Sequence, residues 1–359
     1  MEFVQRRRLE AMRTDELDFE LPSELIAQMP VAERAASRLL HYRRTDRSIA
    51  HRRFAELPSL LRAGDLLVFN DARVIPARFT LIKPTGGRVE GLYLATEADG
   101  VWRVLLKNLG RADPTLGLSF ADAPQIEARV LEQLAGGEYR LRVESDEPAM
   151  ALLKRIGRMP LPPYIRRDKE HDARDEADRQ RYQTVYAAAS GSIAAPTAGL
   201  HFTDDVLREL AERGVERAFV TLHVGLGTFK LVTADRLDAH VMHQEAYSID
   251  AVAAEALNCA KRDGRRIVAI GTTAARVLES QPADRPFEPL ASASTGIFIY
   301  PPYTWRHVGA LVTNFHLPRS TLIALVAAFV GVDEQRRIYR EAIAQRYRFF
   351  SYGDASFLE

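Results

Sequence analysis

Apolar and polar positions follow two different textures along the chain, with the change near residue 70. Before it, Phe54 to Leu61 has the spacing of a short helix closed by Gly64. Asp65-Leu-Leu-Val-Phe-Asn70 is a continuous run rich in β-branched and aromatic residues, the pattern of a buried strand. Between Val74 and Val143 the runs are short or alternating: Val74 to Ile82, Arg88 to Leu94, Val101 to Leu106, Gln125 to Leu131 and Glu138 to Val143. Turn formers separate them at Pro84-Thr-Gly-Gly87, Ala98-Asp-Gly100, Asp113-Pro114 and Gly136-Gly137. Strands at this spacing predict a small antiparallel barrel or sandwich.

After the proline-rich connector Met159-Pro-Leu-Pro-Pro-Tyr-Ile165 the period changes, and helices alternate with strands. Thr203 can cap a helix whose first turn carries Asp204 and Asp205, acids that oppose the positive end of the helix dipole, and Gly214 closes it. Strands are expected at Arg217 to Val224, Arg266 to Ile270, Ile297 to Tyr300 and Ala310 to Val312, with a helix at Ala251 to Lys261. Pro318-Arg-Ser-Thr321 opens an apolar helix ending near Gly331, and Glu334 to Arg346 has the pattern of a last amphipathic helix. The fold class this predicts is α/β with two domains, an α/β sandwich domain with an inserted small antiparallel β-barrel. The expected boundaries are 12–70 with 160–359 for the α/β domain, 71–159 for the barrel, and 1–11 as an N-terminal extension or misassigned start.

A length of 359 residues supports two cores. With 47% hydrophobic and 27% charged residues, the composition excludes disorder, collagen-like repeats and low complexity. The longest apolar run, Leu322 to Val332, falls short of the ~18 residues of a membrane span. No apolar signal region is visible near the N-terminus, so the expected compartment is the cytoplasm and no membrane partner is expected. Cys259 is the single cysteine, which excludes an intrachain disulfide and a multi-cysteine zinc site. The net charge is only +1, yet Arg34, Arg38, Arg43, Arg44, Arg47, Arg52 and Arg53 crowd one segment against a single acid, Asp46. Such a patch suits phosphate oxygens. It is equally what a solvated face would look like in a chain with only six lysines among its 49 cations.

Six of the nine histidines lie between His201 and His316, five of them in short segments at the ends of predicted elements, where open α/β sheets place ligands. The loop Gly191 to Gly199, with Thr197, would let backbone N–H groups approach a ligand, or would simply be a tight turn. Gly225-Leu-Gly227 lacks the third glycine of a dinucleotide fingerprint. His240, His243 and Glu245 do not have the order of a zinc protease site, so no metal is expected. His243 and Glu245 could form an acid/base pair or cap a loop. Gly271-Thr272-Thr273 ends a strand before a helix, a geometry for an anion or ribose or a plain cap, and Arg276 follows one turn later.

These segments carry a resemblance. Asp65-Leu-Leu-Val-Phe-Asn-Asp-Ala-Arg-Val-Ile-Pro-Ala-Arg78, Met159 to Ile165, Tyr182-Gln-Thr-Val-Tyr186, Ala194 to Phe202, Phe219-Val-Thr-Leu-His-Val-Gly225, Leu311-Val-Thr-Asn-Phe-His-Leu-Pro318 and Tyr347-Arg-Phe-Phe-Ser-Tyr-Gly-Asp354 stand in the order of one family. From about Met12 onward the chain resembles the S-adenosylmethionine:tRNA ribosyltransferase-isomerases of queuosine synthesis. It departs from that pattern at Lys107-Asn-Leu-Gly-Arg111, at Pro301-Pro302 and at Ala274-Ala275.

The resemblance implies an α/β domain carrying a β-barrel. It implies transfer and isomerisation of the ribosyl moiety of S-adenosylmethionine onto the aminomethyl-deazaguanine (pre-queuosine) base at the wobble position of a tRNA with a GUN anticodon. The products are epoxyqueuosine-tRNA, adenine and methionine. S-adenosylmethionine is consumed and no further cofactor is expected. A monomer is the expected state. Such a reaction needs a base to take the proton beside the sulfonium and an acid to assist the leaving adenine. His201, His223, His243 and Glu245 are the candidates. Gly191, Thr197, Gly199, Gly225, Thr272, Thr273, Arg276, Asn314 and His316 are the expected substrate-binding residues, and Arg43, Arg44, Arg52 and Arg53 the expected tRNA contacts. The rival reading is a non-catalytic RNA-binding protein built on the barrel and the basic patch.

Overall fold

The apolar run after Asp65 becomes the middle of a large sheet because both of its faces are covered. In the computed structural model, which describes residues 12–98, 100–111, 113, 115–168, 172–225 and 231–359, Leu66–Asn70 is buried at every position. Leu66 and Val68 join one apolar cluster, Leu67 and Phe69 the other, as a side-chain period of two requires. Residues 1–11 and the segment 226–230, with Gly227, lie outside the described residues.

By its contacts the chain forms two units, residues 1–73, 162–166 and 183–359, and residues 74–161 with 167–182. Among the described residues, 167–168 and 172–182 group by their contacts with the barrel segment.

In chain order the strands are β1 (Arg38–Arg43), β2 (Ser48–Arg53), β3 (Leu66–Asn70), β4 (Ala72–Val74), β5 (Arg78–Ile82), β6 (Arg88–Ala98), β7 (Val101–Lys107), β8 (Leu118–Phe120), β9 (Ala123–Gln133), β10 (Glu138–Val143), β11 (Ala189–Ser192), β12 (Glu216–Leu222), β13 (Glu245–Ile249), β14 (Ile267–Ile270), β15 (Leu290–Thr295), β16 (Ala310–Asn314) and β17 (Ala355–Leu358).

The first unit holds a nine-stranded mixed sheet of order β15-β13-β12-β3-β14-β16-β17-β1-β2. β12, β3, β14 and β16 form its parallel centre. Helices Ala251–Arg262, Thr272–Glu279, Thr321–Val330 and Val332–Ala344 pack on one face, while Phe54, Leu57 and the helix Asp204–Glu212 pack on the other. That last helix is capped as expected, Thr203 accepting from Val206 N–H. The basic segment is the β1–β2 hairpin at the sheet edge, an element its arginines concealed. The strand expected at Ile297 to Tyr300 is absent. The edge strand is the more polar Leu290–Thr295, whose main chain alone pairs with β13, and Ile299 is apolar because it is buried in the core.

The second unit is a closed six-stranded barrel of order β10-β7-β6-β5-β8-β9, all antiparallel. Pro76 precedes β5, so the run from Val74 is not one strand. Phe79, Tyr93, Trp102 and Phe120 fill the interior with ring centroids 5.3–5.9 Å apart. Gly91 is required there, since a Cβ would lie 2.1 Å from the Phe79 ring.

Candidate active site

Four parallel strands end side by side, and the residues following them carry the chemistry. β3 leads into Asp71, β12 into His223-Val224-Gly225 and β14 into Gly271-Thr272-Thr273, while β16 ends at Asn314 before Phe315-His316. Ligands of open α/β sheets bind at this carboxyl edge.

Two clefts open there. The first is narrow, about 70 Å³. Thr197, Thr272, Thr273, Asn314 and His316 line it, together with Tyr164, Phe315 and Phe350. Among the described residues its lining holds no Asp, Glu, Lys or Arg. His316 Nε2 and Thr313 Oγ1 share a hydrogen bond of 2.8 Å, and burial pushes the His316 pKa down to about 3, so at neutral pH it is uncharged. Thr273 Oγ1 and Asn314 Oδ1 are buried without a hydrogen-bond partner. Gly271 at φ +91° starts the helix Thr272–Glu279 with no side-chain cap. The first N–H groups of a helix have no partner inside it, so here they can receive a polar ligand atom.

The second cleft, roomier at about 600 Å³, is charged. Arg276 and Glu245, each about 5% exposed, form an ion pair in its wall, and Leu322 lines both clefts. Arg276 donates through Nε to Ile297 O at 3.3 Å, while its Nη2 is buried without a partner. Glu245 Oε1 accepts the Gly225 N–H at 3.0 Å. The structure thus shows Glu245 held by Arg276 and Gly225. His243 is exposed at the rim, and the pKa of His240 is lowered by burial and then by His243.

His201, His223, Gly191, Gly199 and Gly225 stand outside both linings. His201 is buried, stacked on Phe54 at 5.0 Å, and hydrogen-bonded at both nitrogens, to Ser37 at 2.8 Å and Asn314 at 3.2 Å. Burial brings its pKa to about 3, with Arg348 and Arg34 adding to the shift. The His223 ring has a buried Nδ1 without a partner; burial lowers its pKa and Asp71 offsets part of the shift. A Cβ on Gly191 would sit 3.2 Å from that ring, and one on Gly199 only 2.0 Å from Tyr186 Oη, so both glycines serve close packing.

On the hairpin, Arg43 pairs with Asp46 at 3.0 Å, Arg52 with Glu56 at 3.4 Å, and Arg53 donates to Ala36 O. Arg44 lies over the Phe329 ring and donates to Gly309 O, so part of the basic patch is structural. Tyr164, Phe350, Ser351 and Ser37 were missed by reading histidines and glycines alone. The first three fall inside strings quoted for the resemblance, which was the available signal.

An open α/β sheet with a neutral and a charged cleft at the ends of its parallel strands defines an α/β protein built to hold a small ligand of mixed polarity. Comparison with known proteins narrows this. The family model described as queuosine biosynthesis protein matches residues 14–358, and the chain belongs to that family. It is 46% identical over 350 residues to the S-adenosylmethionine:tRNA ribosyltransferase-isomerase of Geobacter metallireducens, covering 97% of this chain and 100% of the relative. It is 49% identical over 352 residues to the protein of the same name from an Anaeromyxobacter species, covering 97% and 99%. The crystal structure of the S-adenosylmethionine tRNA ribosyltransferase of Thermotoga maritima is 35% identical, with a TM-score of 0.53 over 96% of this chain and 100% of that one. None of these relatives favours a non-catalytic RNA-binding role.

Proposed function

We propose that the protein is an S-adenosylmethionine:tRNA ribosyltransferase-isomerase whose donor occupies the two clefts. The observation that carries the placement is their division of charge. A cleft with no ionised group suits the adenine ring. The neighbouring cleft presents a buried guanidinium with a free Nη2, which suits the methionine carboxylate, with the ribose between them against Thr272 and Thr273. Thr197 borders this path. The acceptor is the aminomethyl-deazaguanine at the wobble position of tRNA with a GUN anticodon, converted to epoxyqueuosine with release of adenine and methionine. The enzyme consumes S-adenosylmethionine without a further cofactor, and acts as a cytoplasmic monomer.

The roles follow from exposure. Of the candidate histidines, His243 lines a cleft and is exposed, which places it to exchange protons; His223 stands outside both linings, and His201 and His316 are neutral hydrogen-bonding groups well above pH 3. Glu245 positions Arg276. Arg43, Arg52 and Arg53, exposed on the hairpin and held only by weak surface contacts, meet tRNA phosphates.

The test mixes protein, S-adenosylmethionine and tRNA bearing the pre-queuosine base, following adenine release and the mass of the wobble nucleoside. Adenine together with the epoxyqueuosine mass is expected. Bound tRNA without adenine would overturn the reading.

A further inference from the structure

We infer that Ser37 and His201 lock the side-chain amide of Asn314 with its oxygen as a hydrogen-bond acceptor at the neutral cleft, and that this acceptor selects a purine bearing an exocyclic amino group. The inference rests on the placement of the adenine proposed above.

The argument starts at a backbone carbonyl. Asn314 Nδ2 lies 3.1 Å from Phe350 O, which can only accept, so the amide cannot be turned to put its oxygen there. Phe350 itself is fixed: at φ +72° it sits in the left-handed region, unusual for a bulky residue, and is tied by its N–H to Phe315 O and by its carbonyl to Gly353 N–H. The same Nδ2 faces His201 Nε2 at 3.2 Å. A donor there requires an unprotonated Nε2, so neutral His201 carries its hydrogen on Nδ1. That hydrogen goes to Ser37 Oγ at 2.8 Å, and Ser37 in turn donates to Arg34 O at 3.0 Å. Every donor in the series is used in one direction. Both hydrogens of the Asn314 amide are consumed, and Oδ1 is left buried and unpaired in a residue that lines the cleft. The cleft is uncharged and ringed by Tyr164, Phe315 and Phe350. The donor that completes Oδ1 is therefore the amino hydrogen of a neutral aromatic base rather than an ammonium group. A 6-oxo purine would set oxygen against oxygen.

Two measurements test this. In the whole protein, ¹⁵N NMR of the ring nitrogens should show His201 as the Nδ1–H tautomer. An Nε2–H tautomer would overturn the inference whatever the protein binds. By calorimetry, S-adenosylhomocysteine should bind at least about tenfold more tightly than S-inosylhomocysteine, as expected when a buried acceptor is left facing another. Asn314→Ala should erase that ratio. His201→Phe, which keeps the stack on Phe54 but removes the Nε2 acceptor, should narrow it while S-adenosylhomocysteine still binds. A ratio untouched by Asn314→Ala would sink the inference but not the placement. The placement itself is read from Thr273→Val and Arg276→Met: if neither weakens S-adenosylhomocysteine, the ligand lies elsewhere and both fall.

Discussion

Replacing Arg276 by methionine isolates what the buried ion pair does for the fold. Glu245 and Arg276 are each about 5% exposed, so removing the guanidinium leaves a buried carboxylate without its ion-pair partner, while Gly225 N–H still donates to it. Breaking one side of such a pair costs about 3–5 kcal/mol, whereas replacing both sides by apolar residues of similar volume is often neutral. For a unit of this size that corresponds to a fall in Tm of roughly 6–20 °C for Arg276→Met. The double variant Glu245→Met/Arg276→Met should recover most of it, less about 1 kcal/mol for the unpaired Gly225 N–H. The two tryptophans make the assay clean. Trp102 lies in the barrel and Trp305 packs on Phe329 in the α/β unit, so in a Trp102→Phe background urea unfolding followed by fluorescence reports the α/β unit. Single substitutions costing under about 1 kcal/mol, or additive within about 0.5 kcal/mol in the double, would refute the reasoning.

Gly199→Ala places a Cβ 2.0 Å from Tyr186 Oη and should destabilise by about 1–3 kcal/mol. Because that hydroxyl has no partner, Tyr186→Phe should be well tolerated and should partly rescue Gly199→Ala in thermal unfolding; no rescue would place the strain elsewhere. His201 and His316 have folded pKa values near 3, below the unfolded value of about 6.5, so the unfolded chain binds more protons between these limits. Their contribution is full above pH 6.5 and is lost as pH falls toward 3, by up to about 1.4 kcal/mol per pH unit each. His316→Gln should flatten urea-derived stability against pH in that window, and an unchanged slope would contradict the assignment. Replacing Arg43, Arg52 and Arg53 together by glutamine should weaken tRNA binding and reduce its log–log salt slope by about 0.7–0.9 per lost phosphate contact, leaving S-adenosylhomocysteine affinity intact. An unaltered slope would remove the hairpin from the tRNA surface.

Local pattern carried the parts of this fold whose cause is local. The run Leu66–Asn70, the Thr203 cap and the apolar helix Thr321–Val330 were legible because a period, a capping side chain and a continuous apolar stretch are properties of neighbouring residues. The barrel was legible from its turn formers. Strands β1, β2 and β17 were not, because arginines masked the hairpin, and β17 owes its place to pairing with β1 and β16 far away in the chain. The site divides the same way. Placement at strand ends and the ordered family strings pointed to Thr272, Thr273, Arg276, Asn314 and His316. Their consequences did not follow from sequence, because burial and partners are set across large separations. Glu245 meets Arg276 through the β13 register, and His201 is held between Ser37 and Asn314, which removes its charge and makes it a donor–acceptor bridge. The sequence by itself determined the elements whose cause is local, the family and the pool of polar residues; tertiary structure alone decided the long-range strands and which polar groups were ionised, which were paired and which atoms were left open, since strand pairing, desolvation and hydrogen-bond direction exist only once the chain has packed.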